Sequence, residues 1–420
     1  MRKFIMKLWK TPMAVIFLVI TIFYGFSALG KPTEINRFAV VTAIGIDEFA
    51  DGENEFELSF LTFIPIAEQT FTETYKVITA KGRSFVEAID YAGQYLGREI
   101  GLSHLRTVVL NEELFKHDVT KILDYLTREK EVPSSTKLLA TNASAKDFLS
   151  AMQKLDMESS LKVSEMIDFN KRYVTATDAS LEHFFKGYFS PTKTSIIPIF
   201  GLEQNEDKGI SVSNTESQGG SGGAQGGSNG GQAGEGENIT YNIVNGGDAL
   251  IFKNGFLTKE ISADDMKNIN YFRGNFSTGA LTIEGFKGEP FEKADLTFNI
   301  YDKKIKKKVV FENGIPVIYT DIKFTVVLNG VEEDNGMFDE NVDLYLITNK
   351  AASAIEKKVK QNMADGLAVM REEKADLADF YTKMYNTDKK AFKRFLDSLD
   401  DKDDYLSHVM FKTRVRVYSR

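Results

Sequence analysis

Residues 217–236 read SQGGSGGAQGGSNGGQAGEG, ten glycines in twenty positions. Such a stretch has almost no apolar surface to bury and is expected to behave as a coil, so no single core can run through it. The folded mass must therefore lie on either side. A coil of this length reaches about 25 Å, from ~5–6 Å × √n. Within residues 203–240 it reads as a linker or a long surface loop. A hinge between moving bodies is the functional reading and a tolerated insertion the plainer one. The 420 residues suit two or three domains. The expected division is a basic flank and anchor over 1–30, an N-terminal α/β region over 34–202, and a C-terminal α/β region over 241–420.

A second feature fixes where these regions reside. Thr11 to Gly30 holds no charged residue, and Met13–Leu29 is strongly apolar. As a helix rising ~1.5 Å per residue, twenty residues span about 30 Å, the thickness of a bilayer core. Arg2, Lys3, Lys7 and Lys10 precede the run. The positive-inside rule keeps that flank in the cytoplasm and sends the chain beyond Leu29 across. Trp9 and Tyr24 stand near the two ends, where amphipathic rings gather. Ala28-Leu29-Gly30 also resembles a signal-peptide cleavage site, although the apolar run is long for a signal core. Retention of 13–29 as an anchor is the preferred reading, and both readings export the body.

Composition then excludes several functions. Hydrophobic content of 42% with 27% charged residues is that of a globular protein. The net charge is −8; without the four N-terminal cations, 48 cations face 60 carboxylates. An acidic body is a poor partner for nucleic acid. There is no cysteine, hence no disulfide, thiolate nucleophile or Cys-based zinc site. The four histidines, His104, His117, His183 and His408, form no H-x-x-H or H-x-x-x-H pair. No catalytic residue, cofactor or metal ligand is assigned.

Periodicity places the elements. Phe38–Asp47 reads as a buried strand, Phe56–Pro65 as its hairpin partner and Glu73–Ala80 as a third strand. Ser84 caps a helix over Phe85–Leu96, whose Phe85, Ala88, Ile89, Ala92 and Leu96 share one face. Strand Leu105–Leu110, helix Val119–Thr127, strand Lys137–Thr141 and a Ser144-capped helix to Gln153 come next. Beyond the glycine tract, Asn254-Gly255 marks a tight hairpin. A helix is expected over Ala263–Tyr271, with strands at Leu296–Tyr301, Lys307–Phe311 and Val317–Leu328. A long helix from about Glu340 to Arg371 carries an apolar stripe of Ala352, Ile355, Val359, Met363, Leu367 and Met370, read as core rather than as a docking face. In the last strand, His408–Ser419, Val409, Phe411, Thr413, Val415 and Val417 alternate with Met410, Lys412, Arg414, Arg416 and Tyr418. The fold class is α/β (α+β), two to three domains with mixed β-sheets flanked by helices, after one N-terminal transmembrane helix.

The charged clusters have modest readings. Ser103-His104 would point to opposite faces of an extended segment and cannot pair as nucleophile and base, so His104 reads as a structural hydrogen-bonding residue. Glu112-Glu113 suit a helix start. Asp400, Asp401, Asp403 and Asp404 lack the order of a calcium loop and read as a solvated acidic loop. Lys303, Lys304, Lys306, Lys307 and Lys308 read either as a protected strand edge or as a contact for anionic headgroups. Lys412, Arg414 and Arg416 form a basic stripe, an interaction surface unless acidic residues of the chain itself, such as Asp400–Asp404, neutralise it.

Several blocks together resemble a known family. Glu34-Ile35-Asn36 followed by VVTAIGID, with Gly45 and Asp47, resembles the opening of the Ger(x)C family, the C subunits of bacterial spore germinant receptors. Gly82-Arg83-Ser84 with Glu87-Ala88 is similar to its next helix start. LSHLRTVVLNEEL, with His104 and Glu112, and ILDYLTREKEV, with Arg128, are similar to the family's subsequent segments. ALIFKNGFLTKEIS and FRGNFSTGALTI resemble the start of its C-terminal domain. The resemblance implies a non-enzymatic subunit in the spore inner membrane, assembled with polytopic A and B subunits, anchored at the lipid bilayer and facing outward. It implies α/β domains on separate mixed sheets, and a structural role for the motif residues. Members usually carry a lipid-bearing cysteine five residues before E-I-N; here that position is Leu29, so a thioether-linked lipid is excluded and the apolar segment must anchor. The alternative is an anchored extracytoplasmic enzyme such as a cell-wall hydrolase.

Overall fold

The computed structural model describes residues 16–22, 37–48, 56–64, 74–155, 159–175, 177–204, 241–244, 247–289, 291–333 and 348–419. Residues 16–22 form a helical segment, α1, with exposed side chains. Among the described residues no helix is long and apolar enough to cross a membrane. The rest of the expected anchor, 13–15 and 23–29, lies outside them.

The first sheet is built on β1 (Phe38–Glu48). Every residue from Val41 to Ile46 is buried, as a strand covered on both faces requires. β1 runs antiparallel to β2 (Phe56–Ile64), which pairs with β3 (Thr74–Gly82). On its other side β1 runs parallel to β4 (Glu99–Gly101) and β5 (Thr107–Asn111), and β5 runs parallel to β6 (Lys137–Thr141). The sheet is therefore mixed, with order β3-β2-β1-β5-β6. On one face Ile44, Ile46 and Phe60 pack against α2 (Phe85–Leu96) and α3 (Val119–Arg128). On the other, Ala43, Leu61 and Val109 pack against α4 (Ala145–Leu155) and α5 (Ser159–Asn170). α6 (Leu181–Tyr188) returns to the first face through Leu181 and Phe184. The expected caps are present: Ser84 Oγ accepts from Glu87 N at 3.2 Å and Ser144 Oγ from Asp147 N at 3.0 Å.

The chain then leads through β7 (Thr194–Pro198) to β8 (Gly201–Gln204), which pairs antiparallel with β9 (Tyr241–Val244) on the far side of the glycine tract. The tract itself lies outside the described residues. β10 (Ala249–Lys253) pairs on one edge with β7 and on the other with β11 (Phe256–Ile261), so strands from before and after the tract share one sheet. Asn254 and Gly255 both have positive φ, 53° and 87°, as the expected two-residue turn demands. Asn270 Nδ2 donates to Val174 O at 2.7 Å, a further tie across the two parts.

The C-terminal part holds α7 (Ala263–Arg273), begun by a Ser262–Asp265 capping box, and a four-stranded sheet. β12 (Gly279–Gly288), β13 (Phe291–Glu312) and β14 (Ile315–Glu333) meander antiparallel. The strands expected at Leu296–Tyr301 and Lys307–Phe311 are one continuous β13, because the lysines between them alternate across the pleat. α8 (Asn349–Glu372), α9 (Phe380–Thr387) and α10 (Lys389–Asp397) come after it, and β15 (Met410–Ser419) pairs parallel with β14. α8 starts at its Thr348 cap, and the expected earlier turns from Glu340 to residue 347 lie outside the described residues. Its stripe of Ile355, Val359, Met363, Leu367 and Met370 is core, with Ala351 rather than Ala352 fully buried in it. The structure is α+β with several mixed or antiparallel sheets.

Because β8 and β9 hold the two exits of the tract together, removing Ser217–Gly236 shortens a loop whose ends are already joined. The closure term changes by less than ~1 kcal/mol. The thermal midpoint of the deletion variant should stay within about 3 °C of the parent. A larger fall in calorimetry would show that these residues pack on the body.

Candidate interaction surface

The alternation of β13, β14 and β15 sorts the basic residues of the C-terminal sheet. In register, Lys304 lies beside Lys323 and Lys323 beside Arg416. Lys306 lies beside Asp321 and Asp321 beside Arg414, while Lys308, Tyr319 and Lys412 form the next row. All these positions share the face opposite the core, since Val309, Ile318, Ile322, Phe324 and Val415 of the alternate set are core residues. Lys304, Lys306, Lys308, Lys412 and Arg414 are exposed. The rows are about 4.8 Å apart across strands and about 6.7 Å along them. Two stretches that read separately in the sequence, the lysine run and the C-terminal stripe, thus form one cationic lattice. Lys323 completes it and was not singled out from the sequence, because an isolated lysine in an apolar strand carries no local signal.

Acidic groups offset only part of it. Lys412 Nζ lies 3.4 Å from Glu312 Oε2, donates to Tyr319 Oη at 3.0 Å and sits over the Tyr319 ring. Its pKa rises, first through the tyrosine hydrogen bond and then through Glu312, burial opposing. Arg416 pairs with Asp321 at 2.6 Å. The neutralising residues are therefore Glu312 and Asp321, not the Asp400–Asp404 loop. In that loop Asp401 pairs with Lys374 at 2.5 Å and Asp403 with Lys253 at 3.4 Å. Among the described residues Lys304, Lys306, Lys308, Lys323 and Arg414 have no ion-pair partner.

Lys303 and Lys307 take the inward positions and support the sheet from below. Lys303 Nζ lies 4.5 Å from the centre of the Phe276 ring, and Lys307 Nζ donates to Ala378 O at 3.3 Å near the Phe380 ring. Burial lowers both pKa values, with Asp376 opposing the shift at Lys307. Asp376 accepts from Ala378 N, Phe380 N and Tyr381 N at 3.2, 3.0 and 2.7 Å and from Tyr405 Oη at 2.7 Å. It caps α9, whose own flanking residue Asp379 makes no side-chain cap. Arg371 holds the start of β15 by donating to Leu406 O and Val409 O at 3.0 and 2.9 Å. No group of three or more His, Cys, Asp or Glu side chains among the described residues is placed to hold a metal ion.

Residues 31–202 match the model of the spore germination protein N-terminal domain, and residues 247–418 match that of the spore germination B3/GerAC-like C-terminal domain. The chain belongs to the Ger(x)C family. Spore germination protein KC of Bacillus subtilis (strain 168) is 20% identical over 399 residues, 92% of this chain and 90% of that protein. Spore germination protein B3 of the same organism is 22% identical over 339 residues, 79% and 78% of the two chains. A crystal structure of the GerBC protein aligns with a TM-score of 0.48 at 17% identity, over 89% of this chain and 96% of that one.

The motif residues given a structural role, Gly45, Asp47, Gly82, Arg83, His104, Glu112 and Arg128, lie in the N-terminal part, on or beside the first sheet and not on the sheet of the cationic lattice. Gly45 is buried in β1 where an added Cβ would stand 3.0 Å from Cβ and O of Ala145, the first residue of α4. Two residues on, Asp47 accepts from Ala145 N at 2.7 Å and Lys146 N at 3.0 Å, so β1 seats and caps α4 from 98 positions away. Burial raises the Asp47 pKa against those two hydrogen bonds. Gly82 ends β3 against the start of α2, and Arg83 N donates to Glu87 Oε2 at 2.8 Å. Arg128 pairs with Asp124 at 3.0 Å on the surface of α3. Glu112 opens a 3-10 turn, Glu112–Lys116, and its pKa is raised by burial and by Glu113 and Glu260. Ser103 and His104 occupy an exposed turn instead of an extended segment. His104 has no hydrogen bond among the described residues, because Leu105, 1% exposed, fills the inward position and leaves the imidazole in solvent.

Two substitutions test this framework. Gly45→Val should cost about 1–3 kcal/mol by overpacking against α4, more than the ~0.5–1 kcal/mol gained by removing a strand glycine. An unchanged urea midpoint would show that α4 is free to shift. Asp376→Ala leaves three N–H groups and one hydroxyl without an acceptor and should cost about 3 kcal/mol or more. The folded Asp376 pKa is raised, by burial above all. Its contribution is therefore complete below the ordinary carboxylate range and is lost as pH climbs through the raised value. As pH rises from the ordinary carboxylate range through the raised value, the parent should lose stability relative to Asp376→Asn; parallel profiles of the two would contradict this.

Proposed function

We propose that this chain is the C subunit of a spore germinant receptor. It is a non-enzymatic scaffold whose body lies on the outer side of the spore inner membrane and assembles with polytopic A and B subunits. Family membership ties the chain to spore germination. The observation that supports a scaffold is the open cationic face of β13, β14 and β15, an extended surface of the kind that meets another surface. The uncharged run behind four N-terminal cations supports an anchor over 13–29 with the body exported. In place of the family's lipid-bearing cysteine stands Leu29, which supports anchoring by the segment itself.

The test is co-purification from detergent-extracted spore membranes together with intact-mass measurement. A polytopic partner recovered with a chain that retains residues 13–29 is the expected result. Recovery of the protein alone argues against the receptor subunit, and a mature chain beginning at Lys31 argues against the anchor.

A further inference from the structure

We propose that the outer face of β13, β14 and β15 rests on anionic lipid headgroups, laying the C-terminal sheet against the membrane. This deepens the anchored-scaffold reading and rests on it. Between the Asp302–Thr325 and Glu312–Ile315 pairs, and along β15, seven cations, Lys304, Lys306, Lys308, Lys323, Lys412, Arg414 and Arg416, share the face with the carboxylates Asp302, Glu312 and Asp321; Asp295 and Glu332 stand side by side farther along β13 and β14. Two of the cations are taken by Glu312 and Asp321, which leaves five without an ion pair among the described residues. The rest of the protein is acidic, so a cationic face of this density departs from the average surface.

Its chemistry selects the occupant. Specific protein interfaces centre on aromatic and apolar anchors and are depleted in lysine. Here five of the seven cations are lysines, and of the aromatic residues on the face Tyr319 is already engaged with Lys412 and Tyr418 stands at the margin beside Thr325. Flexible lysine heads on a regular two-dimensional grid suit a smeared negative surface, and such a surface attracts each cation separately. The attraction acts over a Debye length, about 8 Å at physiological salt, so the body must lie beside the bilayer for the face to engage. An anchor at residues 13–29 would hold it there.

The absence of cysteine allows one reporter to be placed. Tyr418 lies beside Thr325 in register, on the same face, and is 48% exposed. A fluorophore on Tyr418→Cys in the full chain is followed in nanodiscs of phosphatidylcholine, alone or with about 30% phosphatidylglycerol, using iodide as aqueous quencher. Quenching should fall about threefold or more in the anionic discs and recover at about 0.5 M salt. It should also recover in K304E/K306E/K308E, or in R414E if the triple variant has an altered thermal midpoint. Equal quenching in both discs, or protection that survives charge reversal, overturns the proposal. Protection in neutral discs that needs a co-purified subunit also overturns it and assigns the face to a protein. A chain cleaved before Lys31 is read by co-sedimentation with vesicles of the same two compositions. Failure of the receptor reading shows independently, as loss of the polytopic partner in the co-purification.

Discussion

The antiparallel pairing of β13 with β14 sets the order of the C-terminal part. From Ala294 beside Glu333 to Glu312 beside Ile315, each residue of one strand is matched to the other with few shifts. Because side chains alternate, that register decides at once what is core and what is surface. Ile300, Val309, Ile318, Ile322 and Phe324 go inward, each contributing roughly 1.5–3 kcal/mol as an upper bound. The same step sends Lys304, Lys306 and Lys308 outward. A slip of one residue would bury those lysines and expose the core set, so the charged lattice and the hydrophobic core are specified together. Lys303 and Lys307 remain on the inner side, where aromatic rings and the Ala378 carbonyl offset part of their desolvation.

Helix starts in this protein are repeatedly completed from outside the helix. Asp47 reaches α4 from β1, and Asp376 reaches α9 from the loop after α8. Each carboxylate satisfies N–H groups that the helix cannot, and each ties two elements that would otherwise pack only through apolar contact. The sequence run around Gly45 and Asp47 is therefore a strand and a helix seat in one: the glycine lets α4 approach and the aspartate fixes it. This accounts for both residues in physical terms without any chemistry of catalysis.

Much of the fold was legible because local signals were strong. Ser84 and Ser144 caps, the Asn254-Gly255 turn and the alternation of β15 each depend on neighbouring residues alone. β7, β8 and β9, of four or five residues, are too short to carry a period, and α9 and α10 span only about two turns. α9 also lacks a side-chain cap of its own, so its start could not be read. The candidate surface was half legible: Lys412, Arg414 and Arg416 stood out as a stripe and Lys303–Lys308 as a run. Their merger depends on the parallel pairing of β14 with β15, a contact between distant segments that no local pattern announces. The partners Glu312 and Asp321 were missed for the same reason, and His104 was given a role that its exposed turn does not support.

β15 joins β14 only after α8, α9 and α10 have crossed the sheet. Until it docks, β14 presents ten consecutive backbone positions as an open edge, a template on which a second copy could pair. Such non-local parallel pairing forms slowly. During that interval the lysines of β13 and Lys323 of β14 already line one face and repel a like-charged copy. The cationic grid thus has a consequence before the native state exists: it lowers the risk of aggregation while the last strand is still absent.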